Sequence, residues 1–317
     1  MKWKAFGNVA GLAVAWLLLF LSFGWKIGPH FISVNAVERI LRQSTLVGLA
    51  GVGMTYVIMS AGIDLSVGSL VALVSVVVAY CLNLGYDPLV AVFIGVSTGV
   101  IGGLLNGVLI TRIKVTPFIV TLGTFLAFRG IAKGLAGEKK IDASLTWINN
   151  VLSKVPDERA WMIFPPGVWV MFLLAVAGAF WMRYTRIGRH IQAVGSNESA
   201  ARLCGVPVER VKIAVYSFVG FCVGLAGVAT FARSSVGDPT TAQGFELEVI
   251  AAVVIGGASL SGGKGSIAGT LFGALIMTTI AAGSIPLGWP NWVQEIVTGG
   301  IIVVAVALDQ IRHRRAK

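Results

Sequence analysis

The strongest constraint on how this chain folds is a series of long apolar runs that recurs from one end of the sequence to the other. A membrane-spanning helix needs about 20 mostly apolar residues, and fewer where neighbouring helices bury part of it. Ten segments meet this criterion, with approximate cores at residues 8–25, 43–60, 66–83, 89–110, 115–135, 166–183, 212–233, 247–258, 266–283 and 293–309. The sequence therefore predicts an all-α polytopic membrane protein with about ten transmembrane helices.

Composition excludes several classes of protein. Hydrophobic residues make up 56% of the chain and charged residues 12%, whereas a soluble domain carries roughly 25% charged residues. The three cysteines show neither paired nor metal-ligand spacing, and the three histidines belong to no zinc-protease or hydrolase motif. We predict a single transmembrane domain over residues 1–317, with no catalytic residues, no metal site and no cofactor of its own.

Charge predicts the orientation of the spans, because cytoplasmic loops carry an excess of Lys and Arg. If the N-terminus is cytoplasmic, ten spans return the C-terminus to the same side. The internal segments then hold the entire net charge of +11, and the external segments are neutral. Both termini are therefore predicted to be cytoplasmic. The largest external segment, residues 136–165, has mixed charge and is predicted to form a cap rather than a domain.

A polar island at residues 183–212 interrupts the apolar pattern with six Lys or Arg and two Glu. The positive-inside rule places this loop, whose core is 184–211, in the cytoplasm. Within it, residues 196–204 have helix-forming composition, with Ser or Asn available as N-cap and Gly205 then Pro207 as terminators. The pattern predicts a short helix that two membrane spans present to a soluble partner. The alternative is a solvated loop without a partner.

Glycine recurs every fourth residue along the predicted fourth span, at positions 95, 99, 103 and 107. This spacing keeps small residues on one helix face, where two backbones can approach closely. We interpret the stripe as packing within one subunit rather than as a seam between two subunits.

Two polar residues lie within or between apolar runs. Asp64 separates the second and third spans, and we predict that it is the N-cap of the third span, with gating or translocation as the alternative. Asn106 lies near the inner end of the fourth span. We predict that it forms an interhelical hydrogen bond rather than a ligand contact.

Four stretches together resemble one known family, the membrane permeases of ribose-type sugar ABC importers. They cover nearly the whole chain in the expected order, and they are GIDLSVGSLVAL (62–73), LNGVLITRIKVTPFIVTLGTFLAFRGI (105–131), AVGSNESAARLCGVPVERVKIAVYSFVG (193–220) and GFELEVIAAVVIGGASLSGGKGSIAGTLFGALI (244–276). The resemblance implies that the polar island carries a coupling helix that docks on an ATP-binding subunit. The family's loop pattern falls on Gly195, Asn197, Glu198, Ala200, Ala201 and Gly205.

Side-chain chemistry agrees with docking at this loop. The small side chains of Ala200 and Ala201 allow close seating, and Glu198, Arg202 and Arg210 can form charged contacts at the rim. Two residues depart from the family pattern: Ser196 replaces a common glycine, and Cys204 stands where serine is usual.

The resemblance also implies partners and a location. It implies a multi-pass protein of the bacterial inner membrane that works with a cytoplasmic ABC ATPase subunit, which binds the ATP. An extracytoplasmic sugar-binding protein, a second permease copy or paralogue and membrane lipid complete the expected partners, and no nucleic acid is expected. Alternating access driven by ATP would move a monosaccharide of the pentose or hexose class. A permease for branched-chain amino acids or another small polar solute, a secondary transporter, and a membrane enzyme are the alternatives, in that order.

Overall fold

The computed structural model describes residues 2–156 and 161–314, which fold almost entirely into α-helices. Of the external segment 136–165, residues 157–160 lie outside the described residues. The described part contains twelve helices: α1 Lys2–Ile27, α2 Val34–Met59, α3 Val67–Asn83, α4 Pro88–Ile113, α5 Pro117–Ala136, α6 Pro166–Tyr184, α7 Arg186–Ser196, α8 Glu198–Leu203, α9 Val208–Ser234, α10 Phe245–Ile255, α11 Ile267–Ser284 and α12 Asn291–Arg314.

Each of the ten predicted segments overlaps one of these helices, but the helices differ in their ability to span a bilayer. Six are long and apolar enough by length and composition: Val9–Ile27, Pro88–Ile113, Pro117–Ala136, Pro166–Tyr184, Val208–Ser234 and Ile267–Ser284. Helix α10 has 11 residues and rises only about 16 Å, roughly half the thickness of a hydrocarbon core. It therefore does not cross a membrane alone. The chain is an all-α polytopic membrane protein.

Helix α2 begins nine residues before its predicted core, at Val34 rather than at residue 43. The hydroxyl of Ser33 accepts a hydrogen bond from the backbone N–H of Ala36 at 3.3 Å and caps the helix. The charged residues Glu38 and Arg42, assigned from the sequence to an external loop, form an ion pair one turn apart on this helix. The apolar run that predicted this span therefore corresponds only to the later part of the helix.

Helices α2 and α9 form the centre of the bundle. They pack against each other, and the remaining contacts fall into two corresponding sets. Helices α3 and α4 pack on α9, whereas α10 and α11 pack on α2. In the first set, α3 also contacts α4 and α5. In the second set, α10 contacts α11 and α12 in the same way. The four helices α2 to α5 thus have the same packing relations as α9 to α12, as expected of an internal repeat.

The glycine stripe of α4 packs against α9 of the same chain. A side chain at Gly103 would overlap the carbonyl oxygen of Tyr216, and one at Gly99 would meet the carbonyl oxygen of Gly220. In return, a side chain at Gly220 would overlap the carbonyl oxygen of Gly99. The predicted packing within one subunit is confirmed, since the two backbones touch where the glycines lie.

The external segment lies over one end of this bundle. Its strand β1, Ile141–Asp142, pairs antiparallel with β2, Val236–Gly237, which follows α9. A 3₁₀ turn at Trp147–Val151 buries Ile148 completely. Lys140 and Asp238 form an ion pair of 3.1 Å beside the strands. Although burial opposes ionisation of Asp238, hydrogen bonds from Thr240 and Lys140 outweigh it and hold the pKa of this carboxyl below its usual range.

Candidate functional site

The polar island folds into two successive helices, α7 and α8, of which the sequence predicted only the second. The hydroxyl of Thr185 caps α7 by accepting from the backbone N–H of Gly188 at 3.2 Å. Ile191 and Val194 are buried, while Arg189 and Gln192 remain open to solvent. A helix with one apolar and one charged face therefore connects α6 to α8. The spacing of its apolar residues was the signal that could have revealed it.

Helix α8 is defined by a cap at each end. The Asn197 side chain accepts from the backbone N–H of Ala200 at 2.9 Å, which satisfies one of the free donors of the first turn. At the other end, Gly205 adopts φ +80°, a left-handed conformation that glycine takes without strain. The N–H groups of Gly205 and Val206 donate to the carbonyls of Arg202 and Ala201, which is a Schellman motif.

The outer surface of α8 is apolar and exposed. Leu203 is 90% exposed, the highest value among the large exposed hydrophobic side chains of the described residues. Ala200 and Cys204 are also exposed, whereas Ala201 is only 5% exposed and faces inward. A leucine presented in this way at the turn between two helices is suited to enter an apolar pocket of a partner.

The charged residues of this region pair with one another. Glu198 contacts Arg202 at 3.6 Å and Lys212 at 2.7 Å, and Arg202 also bonds Glu209. The hydrogen bond that Arg202 donates to Glu209 is the main reason that the pKa of Arg202 is raised above its ordinary value. These four charges tie α8 to the first turns of α9. The rim charges predicted at Glu198 and Arg202 are therefore engaged within the chain, while Arg210 stays exposed.

Backbone contacts anchor the start of α8 to two other parts of the bundle. Gly195 is buried at the end of α7, and a side chain there would overlap the carbonyl oxygen of Met59, the last residue of α2. The same carbonyl accepts a hydrogen bond of 2.9 Å from the N–H of Gly263 in the α10–α11 loop. We call this three-way contact of Gly195, Met59 and Gly263 the junction. Gly195 of α7 thereby connects the polar island, through backbone atoms, to α2 and to the α10–α11 loop.

Asp64 lies in the α2–α3 connection that follows the junction, and it is 2% exposed. The prediction that it is the N-cap of α3 is wrong by two residues, because Ser66 occupies that position. One carboxylate oxygen of Asp64 accepts from the backbone N–H of Ser66 at 2.9 Å and from its hydroxyl at 2.6 Å. The side-chain amide of Asn106 donates to the same hydroxyl at 2.9 Å. Asn106 thus forms a hydrogen bond between α4 and the start of α3.

The candidate site residues that the sequence predicted form two groups in the structure. Gly195, Asn197, Glu198, Ala200, Ala201, Arg202 and Gly205 lie together around α8. Asp64 and Asn106 form a buried polar cluster around Ser66. The junction links the two groups, because Met59 precedes the connection that holds Asp64. Among the described residues, no group of His, Cys, Asp and Glu side chains is arranged to hold a metal ion.

Comparison with known proteins assigns the family. Residues 36–306 match the family model described as "Branched-chain amino acid transport system / permease component". The chain belongs to this permease family. It is therefore a multi-pass protein of the bacterial inner membrane, in agreement with its six apolar helices. The matched region includes both α8 and the Asp64 cluster.

Curated relatives of this permease carry the names of sugar import proteins. The chain is 38% identical over 293 residues to the ribose import permease protein of Escherichia coli strain K12, covering 92% of this chain and 91% of the relative. It is 38% identical to the fructose import permease protein of Rhizobium meliloti, covering 98% and 88%. The xylose transport system permease protein of Escherichia coli strain K12 is 33% identical, covering 96% and 92%. No solved structure matches the chain.

Proposed function

We propose that this chain is the membrane-spanning subunit of an ATP-binding-cassette importer and that it moves a monosaccharide of the pentose or hexose class. The observation that carries the proposal is the capped, exposed helix α8, which contacts the bundle through backbone atoms at the junction. The names of the sugar import relatives support the substrate class. In this proposal the subunit performs no chemistry itself, and a separate ATPase subunit binds and hydrolyses ATP.

The mechanism follows from the contacts of α8. Its two caps and four paired charges make α8 a compact unit that moves as a whole. When two ATPase subunits close on ATP, each would displace the α8 that is seated on it. The junction would pass this displacement to α2 and to the α10–α11 loop, which lead into α3 and α11. Because coupling between two binding sites is reciprocal, a loaded binding protein on the outer face should favour the ATP-bound arrangement of the ATPase subunits. We expect this to stimulate ATP hydrolysis.

The assembly and topology belong to the same proposal. Ten crossings with both termini in the cytoplasm, the eighth completed by the chain that flanks α10, place α8 on the inner side and the strands β1 and β2 on the outer side. An extracytoplasmic sugar-binding protein would deliver its ligand to the outer face of a dimer, whose second member is a copy of this chain or a paralogue. Lipid surrounds the dimer, and no nucleic acid takes part. The site then switches access without a cofactor of its own.

Replacement of Leu203 by aspartate tests the docking surface. A carboxylate would have to be desolvated in an apolar pocket, so we expect Leu203→Asp to lose the co-purifying ATPase subunit while the permease stays in the membrane. Affinity purification in mild detergent and quantification of bound ATPase measure the effect. Leu145→Asp is the matched control, because Leu145 is 79% exposed on the external segment and should leave binding unchanged.

Two variants at the ends of the docking helix extend this test. Gly205→Trp and Glu198→Arg should uncouple transport from ATP hydrolysis without preventing membrane insertion. Glu198→Arg would also place three cations, with Arg202 and Lys212, where an acid now pairs with both. Normal uptake in both variants, together with retained ATPase in Leu203→Asp, would refute docking at α8.

The family description favours one second candidate, import of branched-chain amino acids. Uptake assays with labelled D-ribose, D-xylose, D-fructose and L-leucine distinguish the two candidates in the same cells. We expect uptake of at least one sugar and none of leucine. Uptake that survives depletion of ATP would instead indicate a secondary transporter.

A further inference from the structure

Two buried side chains of opposite charge, which the coupling mechanism does not use, lie near each other on α5 and α10. Arg129 is 8% exposed and Glu246 is 9% exposed. Each retains one polar atom without a hydrogen-bond partner, the Nη2 of Arg129 and the Oε2 of Glu246. Buried ionisable residues in membrane proteins are costly and usually mark a functional site. Both residues lie in the stretches that carry the family resemblance, yet sequence reasoning gave them no role.

The backbone around these side chains holds each of them in place. The Nη1 of Arg129 donates to the carbonyls of Pro239 and Thr241, at 2.8 Å and 2.6 Å. The carboxylate of Glu246 lies against Gly68 of α3, where any side chain would overlap its Oε2. A glycine at position 68 therefore provides the space that the carboxylate occupies. Neither charged group depends on the other for its position.

Adjacent residues bring the two groups into one region. Arg129 bonds the carbonyl of Thr241, and the space beside Gly68 is bounded by both the Oε2 of Glu246 and the carbonyl of Ala242. The described structure shows no ion pair or hydrogen bond between the two groups. Hydrogen-bonding capacity is therefore left free on both the guanidinium and the carboxylate within one buried region. A hydroxyl group fits this arrangement, because it accepts from a guanidinium and donates to a carboxylate at the same time. The carboxylate of an amino acid fits less well, because it has no donor to offer the Glu246 carboxylate and would bring two acids together.

We propose that Arg129 and Glu246 form a subsite that binds a hydroxyl group of the sugar during its passage through the permease. This inference rests on the proposed function and adds substrate-contacting residues to it. The nearby Asp238 also acts on Arg129, but it is engaged by Lys140 and Thr240. Free hydrogen-bonding capacity thus remains on the Nη2 of Arg129 and the Oε2 of Glu246.

The test uses the whole transporter in proteoliposomes: the permease, its ATPase subunit and its binding protein. Uptake of labelled D-ribose, D-xylose or D-fructose and hydrolysis of ATP are measured together, in the wild type and in Glu246→Gln and Arg129→Lys. We expect the number of sugar molecules moved per ATP to fall about tenfold in each variant, the loss typical of a hydrogen bond to a charged group. A purely structural role would lower transport and hydrolysis in parallel instead. Thr230→Val is the control, because the buried Thr230 hydroxyl bonds only within its own helix and the ratio should not change.

A double variant covers the case in which the single variants do not fold. Replacement of both residues by methionine removes the pair and leaves no buried charge, which proteins commonly tolerate. We expect this variant to fold, to hydrolyse ATP and to show the same loss of sugar moved per ATP. An unchanged ratio would overturn the subsite and leave the proposed function intact. Wild-type transport of L-leucine, with no transport of any of the three sugars, would overturn both.

Discussion

At the scale of single residues, the chain relies on positions where a hydrogen atom is the only side chain that fits. Gly195 is the clearest example, since its Cα lies against the carbonyl oxygen of Met59 and near the N–H of Gly263. These neighbours are backbone atoms that already form a hydrogen bond with each other. A larger residue at 195 therefore cannot be accommodated by a change of rotamer.

We predict that Gly195→Val separates α8 from the junction and destabilises the permease by about 1–3 kcal/mol, the usual cost of overpacking. Thermal unfolding of the purified protein in detergent measures the loss, and the ATPase stimulation by a loaded binding protein should disappear. Gly123→Ala is the matched control, because Gly123 lies in α5 with open space beside it. The control should be neutral or slightly stabilising. Equal stability of both variants would exclude close contact at the junction.

Individual residues also show how far sequence reasoning reaches. The cap of α8 at Asn197 and its stop at Gly205 could be predicted, because both signals are local. The role of Asp64 could not, because its partner Ser66 and the amide of Asn106 come together only through packing of α3 on α4. Arg129 and Glu246 were missed for the same reason. They are 117 residues apart in the sequence. Each is a charged residue within an apolar run, and this was the sequence signal that could have drawn attention to them.

At the scale of elements, α4 and α9 form the most extensive helix–helix contact among the described residues. Dispersion between the two backbones stabilises such a pair in lipid, where no hydrophobic effect drives helices together. The strength of the α4–α9 contact depends on the four-residue spacing of glycine, which can be read directly from the sequence. The sequence could therefore predict that α4 packs closely against another helix, but it could not predict that this helix is α9.

We predict that Gly103→Val forces α4 and α9 apart and reduces the amount of folded permease in the membrane several-fold. The added atoms would overlap the carbonyl oxygen of Tyr216, and a backbone oxygen on a neighbouring helix cannot be moved cheaply. Immunoblotting of membranes, with size-exclusion chromatography of the extracted protein, gives the readout. Gly130→Ala in α5 serves as control because nothing lies beside Gly130. A folded, monodisperse Gly103→Val protein would contradict the assigned contact.

Three helices of six to eleven residues depend on tertiary support: the sequence predicted α8, missed α7 and took α10 for a span. Helix α8 has six residues, too few to persist in isolation, and its caps and ion pairs compensate for this length. Helix α7 escaped notice because two glycines and several basic residues obscure its apolar face. Helix α10 was counted as a span because residues 247–258 are mostly apolar, but the helix itself has only 11 residues and ends at Ile255.

At the scale of the whole molecule, charge and packing give independent descriptions of the same architecture. The positive-inside rule orders the loops into two sides, and the corresponding contacts of α2–α5 and α9–α12 relate the two halves of the bundle. The orientation predicted from charge requires α8 and the strands β1 and β2 to lie on opposite sides of the membrane.

Cysteine labelling tests this orientation directly. Cys204 is exposed, whereas Cys81 and Cys222 are buried, so a membrane-impermeant maleimide reports on one natural position. We expect no labelling in right-side-out spheroplasts and strong labelling after permeabilisation. In the matched variant Lys140→Cys, which lies on the external segment beside β1, intact spheroplasts should already react. Labelling of Cys204 from outside would reverse the topology and exclude a cytoplasmic partner at α8.

The contrast between the two faces of the α7–α8 turn has a consequence for evolution. Its inner face meets the bundle through main-chain atoms and glycine, so few substitutions are tolerated there. Its outer face consists of Leu203, Cys204 and other side chains that contact nothing else in the described structure. During evolution, such a permease can therefore acquire a different ATPase subunit through substitutions at a few exposed positions. The buried backbone contacts of Gly195, Met59 and Gly263 would stay the same.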